Sequence, residues 1–378
     1  MHILVIPDKF KDSLTANQVV KAISRGIIKF NKTYRISEVI ASDGGDGFID
    51  AIFQVHPDFE IIKTKTVNPF GESISAYYLF DPNDKTAYIE LAQASGLELL
   101  RESERDCNNT STYGSGLQIK HAIQKGAKNI YIGLGGSATN DGGTGILRAL
   151  DFKFLDKNNI SLSTKGDNLS KIAGIKTPEQ GFKDINFYTV NDVNNLLLGK
   201  QGATYTYASQ KGAKEKDLPL LEKGMSNLLL ISKVLIPDLK DTPSFGAAGG
   251  TCFGLSSFLN AKIISGTDFL FQLNKLHNLL NNSHIDLIIT GEGKIDEQTL
   301  HGKFIAGITA IAKTYKIPVI VICGISKLNK KSEKELGVTI YPIKTEKISL
   351  KESMENAAKL IENKTFTVLY EFKIKPLT

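Results

Sequence analysis

Short apolar runs that do not alternate with polar residues stand near both ends of the chain, and each breaks directly into a turn marked by proline or glycine. Ile3 to Ile6 stops at Pro7, Asp286-Leu-Ile-Ile-Thr290 leads into Gly291-Glu-Gly293, and Pro318-Val-Ile-Val-Ile-Cys323 leads into Gly324. Strands covered on both faces read in this way, because neither side of them meets water, and such strands belong to parallel sheets. After the first run and the loop Asp8-Lys-Phe-Lys-Asp12, Thr15-Ala-Asn-Gln18 has the spacing of a capping box. Ala16, Val19, Val20, Ile23 and Ile27 then recur at helical period as far as Asn31, so strand, loop and helix form one unit. With Ile36–Ala41, Glu60–Val67 and Val338–Pro342, the two chain ends supply six strands, which predicts a doubly wound sheet.

Between these ends the pattern changes. Ser73–Phe80, Thr86–Leu91, Asn129–Leu134 and Ile185–Val190 read as further strands, and Phe269, Leu273, Leu276 and Leu280 share one face of a helix over Asp268–Leu280 that leads back. The fold class is therefore α/β with two domains. A Rossmann-like, doubly wound parallel sheet is formed by both chain ends, residues 1–67 and 285–378, and residues 68–284 form an inserted α/β domain with a mixed sheet. At 378 residues and 41% apolar content, each domain can bury its own core.

The charge balance excludes some functions. The 46 Lys and Arg against 40 Asp and Glu leave a formal charge of +6, but the basic residues are scattered, apart from short groupings such as Lys211, Lys214 and Lys216. A nucleic-acid surface would cluster them with aromatics, so no nucleic-acid partner is expected. No stretch approaches the ~20 apolar residues that span a bilayer, and the apolar run at the N-terminus is too short for a signal peptide. Cys107, Cys252 and Cys323 are too far apart for a metal motif or a disulfide framework. A soluble cytoplasmic protein with reduced thiols is expected, and the sequence leaves its oligomeric state open.

The densest chemical signal is Gly133-Leu-Gly-Gly-Ser-Ala-Thr-Asn-Asp-Gly-Gly-Thr-Gly145, six glycines in thirteen residues between a strand and a short helical stretch at Ile146–Leu150. Such a loop permits close approach of backbone to a ligand, and its N–H groups with Ser137, Thr139, Asn140 and Asp141 suit phosphate or carboxylate oxygens. Within it Gly133-x-Gly135-x-x-Ala138, with Asp156 beyond, also fits a dinucleotide fingerprint, so a nicotinamide-dependent oxidoreductase is an alternative. A sensor that binds phosphorylated acids without turnover is a second. Asp43-Gly-Gly-Asp-Gly47 follows the proposed second strand, where Asp43 and Asp46 suit Mg2+, although Asp-Gly is also ordinary turn chemistry. Gly291-Glu-Gly-Lys-Ile-Asp-Glu-Gln-Thr-Leu-His-Gly-Lys303 gathers Glu292, Asp296, Thr299, His301 and Lys303 past a buried strand. The first loop adds Lys9 and Lys11 ahead of Ser13, and Asn191-Asp-Val-Asn-Asn195 closes another strand with Asp192. No Gly-x-x-x-x-Gly-Lys-Ser/Thr sequence or protein-kinase signature occurs, so any phosphate cradle is of another kind.

In this order, Pro7-Asp-Lys-Phe-Lys-Asp-Ser-Leu14, Asp43-Gly-Gly-Asp-Gly47, Ala94-Ser-Gly-Leu97, Thr112-Tyr-Gly114, Gly135-Gly-Ser-Ala-Thr-Asn-Asp-Gly-Gly143, Gln210-Lys-Gly-Ala213 and the Gly291–Lys303 motif resemble the bacterial type 1 glycerate kinases, the glycerate 2-kinases, over residues 7–303. The resemblance implies a two-domain α/β enzyme that uses ATP with Mg2+ and transfers the γ-phosphoryl group to D-glycerate, usually at the 2-hydroxyl. The chain departs from the family where it carries Lys9 for Ser, Asp46 for Glu, Asn195-Leu-Leu197 for Asn-Pro-Leu, and Tyr207-Ala-Ser209 for Phe-Gly-Pro.

On this reading glycerate and ATP meet in the cleft between the domains. The catalytic candidates are Asp192, first choice to take the hydroxyl proton, Asp296, second choice, and the charge-offsetting Lys11 and Lys303. Substrate or phosphate would be held by Lys9, Ser13, Ser95, Gly135, Gly136, Ser137, Asn140, Asp141, Gly142, Gly143, Gln210, Lys211, Glu292, Thr299 and His301, and the metal by Asp43 and Asp46.

Overall fold

The computed structural model describes residues 1–374 apart from Ser42, Asp43, Asp46, Glu297, Gln298, Leu300, His301 and Gly302. Among the described residues the strands, in chain order, are β1 (His2–Val5), β2 (Arg35–Glu38), β3 (Glu60–Val67), β4 (Ser73–Asp81), β5 (Thr86–Glu90), β6 (Asn129–Gly133), β7 (Lys153–Leu155), β8 (Gly174–Lys176), β9 (Asn186–Val190), β10 (Lys262–Ile264), β11 (Leu287–Ile295), β12 (Val319–Ser326) and β13 (Thr339–Pro342). They divide between two compact units, Met1–Ser42 with Thr267–Thr378, and Asp43–Gly266.

The first unit holds a five-stranded sheet, β13-β12-β11-β1-β2, in which every neighbouring pair is parallel. The runs of β1 and the first parts of β11 and β12 are apolar and buried because both of their faces are covered, whereas the edge strand β2, Arg-Ile-Ser-Glu, is not. Ile3 and Val5 pack with Val19, Val20, Ile23 and Ile27 of the Ala16–Phe30 helix on one side. Leu4 and Ile6 pack with Ile305 and Ile308 of the Lys303–Tyr315 helix on the other. The capping box at Thr15 forms as expected, with Thr15 Oγ1 accepting from the Gln18 N–H and the Gln18 side chain accepting from the Thr15 N–H. Connections run from β1 toward β2 on one side and from β11 toward β12 on the other, so the switch point of the sheet lies between β1 and β11.

The second unit holds a six-stranded mixed sheet, β10-β9-β6-β5-β4-β3, parallel from β10 to β5 and antiparallel across β4 and β3. A separate hairpin pairs β7 with β8. The α/β class, one parallel and one mixed sheet, is thus as the sequence predicts. Four details differ. The Glu60–Val67 strand is the edge of the mixed sheet, hydrogen-bonded to β4, and is not part of the parallel sheet. Its charged Lys63 and Lys65 alternate with buried Thr64 and Thr66, as befits an edge with one solvated face. The units accordingly divide after Ser42 and after Gly266, not near 67 and 284. The helix expected over Asp268–Leu280 is two, Gly266–Leu273 and Leu276–Asn282, broken where Lys275 adopts a left-handed φ of 46°. Finally, β11 runs on through Gly291-Glu-Gly293 to Ile295, so that segment is strand, not loop.

Candidate functional site

In the inserted unit the parallel strands end together, and the loops that leave them carry most of the candidate residues. Open α/β sheets bind ligands at this edge. Ser95 follows β5, the glycine loop follows β6, and Asp192 follows β9.

The glycine loop is mainly an internal structure. From Leu134 to Leu147 every residue is buried except Gly135 and Gly136. A Cβ on Gly135 would run into the Cα of Gly45, one on Gly143 would meet the backbone of Thr251, and one on Gly142 would strike Leu228. Gly135, Gly142 and Gly143 therefore admit neighbouring chain on the side a Cβ would occupy, and the part of the loop left half-buried narrows to the Gly135–Gly136 corner. Gly135 N–H also donates to the Gly44 carbonyl at 2.9 Å, which ties this loop to the turn at Gly44–Gly47.

Asp141 braces the far end of the loop. Its Oδ2 accepts from the Thr112 N–H and hydroxyl, both at 2.8 Å, and from the Gly145 N–H at 3.2 Å, while Oδ1 accepts from the Gly143 N–H at 3.1 Å. Burial pushes its carboxyl above the ordinary range, against these donors, which favour the charged form. Lys211 braces the near end. Its Nζ donates to Ser137 Oγ at 2.7 Å and to the Thr139 carbonyl at 2.8 Å, and burial pulls its pKa down to about 8. Asp141 and Lys211, read from the sequence as ligand contacts, thus both make hydrogen bonds to the loop itself. Asn140 is also enclosed, with Nδ2 3.4 Å from Thr204 Oγ1 and Oδ1 without a partner, as is the Thr139 hydroxyl. Ser95 is fully buried and exchanges a 2.7 Å hydrogen bond with Ser115, whose hydroxyl reaches the Leu91 carbonyl.

Asp192 differs in being only half-buried, with Oδ1 accepting from Ser265 Oγ at 2.8 Å. Gln210, beside Lys211, is exposed. Asp43 and Asp46 lie outside the described residues. Sequence reasoning missed Glu90, the last residue of β5, which is buried and accepts from the Gly47 N–H at 3.3 Å and the Ile49 N–H at 3.1 Å. The Phe48–Val55 helix has Gly47 at its N-cap and no local side-chain cap, so a carboxylate from 43 residues away supplies one. The missing cap residue before that helix is the only sequence signal that pointed to such a partner.

In the first unit the loop after β1 and the residues Glu292, Asp296 and Thr299 lie beside one another near the switch point. Asp8 N–H donates to the Gly291 carbonyl at 2.8 Å, and Gly293 lies against the backbone of Phe10 and Lys11, so the Lys9–Lys11 loop adjoins Glu292. Thr299 Oγ1 donates to Glu292 Oε1 at 2.6 Å, and its N–H donates to the Asp296 carbonyl at 2.9 Å. Burial, followed by Asp296, raises the Glu292 carboxyl above its ordinary range. Asp296 also pairs with Lys294 at 2.5 Å. Ser13 Oγ donates to the Met354 carbonyl at 2.8 Å and so fastens the Leu350–Glu355 helix. Lys11 is exposed. His301 lies outside the described residues, as does the side chain of Lys303, which opens its helix.

The dinucleotide fingerprint is not realised. Thr139–Gly143 is not helical, the next helix begins only at Thr144, and Asp156 is spent on a turn, accepting from the Asn158 and Ile160 N–H groups at 2.8 Å. One departure from the family pattern reaches the segment that holds another: the Tyr207 hydroxyl donates to Asn195 Oδ1, beside Leu196, at 2.7 Å.

The description "Glycerate kinase family" belongs to a family model that matches residues 3–373. A glycerate kinase of Halalkalibacterium halodurans is 34% identical over 95% of this chain and 95% of its own. A glycerate 2-kinase of Escherichia coli is 38% identical over 86% of this chain and 85% of its own. A crystal structure from Salmonella typhimurium, provisionally assigned as glycerate kinase 2, superposes with a TM-score of 0.80 at 31% identity, covering 99% of this chain and 98% of that one. By a match of this extent the chain belongs to the glycerate kinase family, phosphotransferases whose acceptor is an alcohol group.

Proposed function

We propose that this protein phosphorylates D-glycerate from ATP with Mg2+, giving 2-phosphoglycerate, in the cytoplasm. The observation that carries the reading is the Gly135–Gly136 corner, the half-buried part of an otherwise buried loop at the C-terminal end of a parallel strand. Backbone there can approach phosphate or carboxylate oxygens without a side chain in the way. The 2-position follows the name of the Escherichia coli relative. No helix among the described residues is long and apolar enough to cross a membrane, and the three cysteines are free, which accords with a reducing compartment.

Phosphoryl transfer is mostly positioning and charge stabilisation, so the proteins that perform it need few reactive side chains. Asp192, at the end of β9 with one oxygen oriented by Ser265, is the group proposed to accept the proton of the attacking hydroxyl. In the first unit, Lys11 on its exposed loop offsets carboxylate or phosphate charge, with Lys9 and Lys303 in supporting roles and Asp296 as the alternative base. Among the described residues no three His, Cys, Asp or Glu side chains converge, the donor set expected of a protein-held transition metal. Mg2+ needs only one or two carboxylates beside phosphate oxygens, a demand that Asp43 and Asp46 fit by type. When bound, Mg2+ would neutralise charge on the phosphate oxygens.

The test is an ATP-dependent assay with D-glycerate and Mg2+, in which the product is offered to enolase alone. Direct conversion by enolase is expected. Phosphoglycerate that reacts only once a mutase is present would move the attack to the 3-hydroxyl, and no consumption of ATP would overturn the reading.

A further inference from the structure

Lys211 takes an ammonium group into the interior of the inserted unit, where the residue is 3% exposed. A buried charge is kept only where it is hydrogen-bonded, and here the acceptors are Ser137 Oγ and the Thr139 carbonyl, on either side of Ala138. Both belong to the turn that continues from Gly135 and Gly136, and Asp141 fixes the other end of that turn. Lys211 is itself held from behind, since its carbonyl accepts from the Cys107 N–H at 3.0 Å and Gly212 lies against the Arg105 carbonyl.

We propose that Lys211 is a positioning residue: without touching substrate, its ammonium group holds the Ser137–Asp141 turn, and through it the Gly135–Gly136 corner, in the conformation that catalysis uses. This rests on the reading of that corner as the phosphate or carboxylate contact.

Three features favour a positioning role over a substrate contact. The side chain is enclosed, two of its hydrogen bonds go to the loop itself, and a change of charge there alters the support of the corner and not the corner. The proton on Lys211 should leave in an accessible range, because burial draws its pKa down to about 8, while the Asp141 carboxylate acts in the other direction. Of the groups packed around it, Cys107 remains a thiol up to about 11, and Asp106, lowered by its bonds to Asn108 and Asn109, stays ionised with Lys214 nearby. Loss of the proton would weaken two charge-assisted bonds and leave Asp141 without its counter-charge, so turnover should fall as pH rises through about 8. Stability should move the opposite way. The folded chain gives up this proton near 8 and the unfolded chain only near 10.5, so between these values unfolding takes up a proton and rising pH favours the folded state. Activity lost there would not reflect unfolding.

The experiment has one arm without substrate and one with it. Hydrogen–deuterium exchange at neutral pH should be about tenfold faster over residues 135–143 in Lys211→Met than in the native protein, with the rest of the inserted unit unchanged. In pH–rate profiles the native enzyme should show the alkaline fall; Lys211→Met should lose kcat by about 100-fold with a smaller change in KM, and should lack that limb. Lys211→Arg, whose charge does not titrate in this range, should retain part of the activity with a flat profile. Native exchange rates in Lys211→Met, or an alkaline limb that survives in it, would overturn the proposal. If Lys211→Met does not fold, Ser137→Ala decides, since it removes one of the two acceptors of the ammonium group: exchange over residues 135–143 that stays at the native rate would overturn the proposal. The exchange arm needs no turnover, so it remains decisive if the native protein proves inactive toward glycerate.

Discussion

The loops that follow β6 and β9 leave adjacent strands of one sheet, yet they are held in different ways. The first is fixed from within, by Asp141 and Lys211, both inaccessible, and by glycines whose missing side chains admit neighbouring backbone. The second is fixed from its rim. Asp241 accepts from the Leu197 and Leu198 N–H groups at 2.8 and 3.1 Å, Glu222 accepts from the Gly199 N–H at 2.7 Å, and Tyr207 and Ser265 reach Asn195 and Asp192. Charged groups at the first loop therefore bond to the loop from its buried side, and the aspartate of the second stays half-buried. Sequence alone presents Asp141 and Asp192 as equivalent, each an aspartate in a loop beyond a strand.

Asp192→Asn should separate the two roles by the largest margin. Removing a general base costs roughly 10²- to 10⁴-fold in rate, about 3–5 kcal/mol in the barrier at 1.36 kcal/mol per tenfold. The melting temperature should hardly change, because Asn can still accept from Ser265 and Asp192 is only half-buried. Steady-state kinetics beside calorimetry provide the check. Turnover within a few-fold of native would remove Asp192 as the base and transfer the role to Asp296.

Much of this architecture was legible because burial leaves a pattern. Runs such as Ile3–Ile6 and Val319–Cys323 are apolar at every position since helices cover both faces of their sheet. The Glu60–Val67 strand pairs with β4 in the mixed sheet, and the sequence does carry a sign of that edge in Lys63 and Lys65 alternating with threonines. What the sequence concealed is non-local. Nothing near Gly47 indicates that Glu90 caps its helix, and nothing near Lys211 reveals that its ammonium lies beneath residues 137–139. The glycine loop was correctly marked as unusual, but most of its glycines serve chain against chain, a distinction set by neighbours as distant as Gly45, Leu228 and Thr251.

Gly135→Ala should produce an intermediate effect of another kind. The added methyl would be driven into Gly45, a backbone neighbour that cannot swing aside as a flexible side chain would. Overpacking of this sort costs about 1–3 kcal/mol, and here it would also displace the Gly44–Gly47 turn that Gly135 holds. Both the melting temperature and turnover should fall, in contrast to Asp192→Asn. A variant of native stability would mean that the two turns do not pack as closely as the structure has them, and the contrast between an internally fixed loop and a rim-fixed one would weaken.

Tyr207→Phe should give the smallest effect and bears on the rim. The substitution restores the aromatic type that the family commonly carries at this position and removes only the hydroxyl that donates to Asn195 Oδ1 at 2.7 Å. Asn195 keeps a second bond, from Nδ2 to the Gln201 carbonyl at 2.7 Å, so the loop should remain in place. A net hydrogen bond of this kind contributes about 0.5–1.5 kcal/mol, and the site is partly open to water, which can replace the lost donor. A small decrease in melting temperature with unchanged kcat is expected. Where the family has Pro at the position of Leu196, the ring would limit the freedom of the unfolded chain. This chain lacks that restraint, and the Tyr207–Asn195 bond offsets part of its absence in the folded state. If Tyr207→Phe instead lowers kcat as much as Gly135→Ala does, the rim governs the placement of Asp192, and the loop after β9 is as much a part of the catalytic scaffold as the loop after β6.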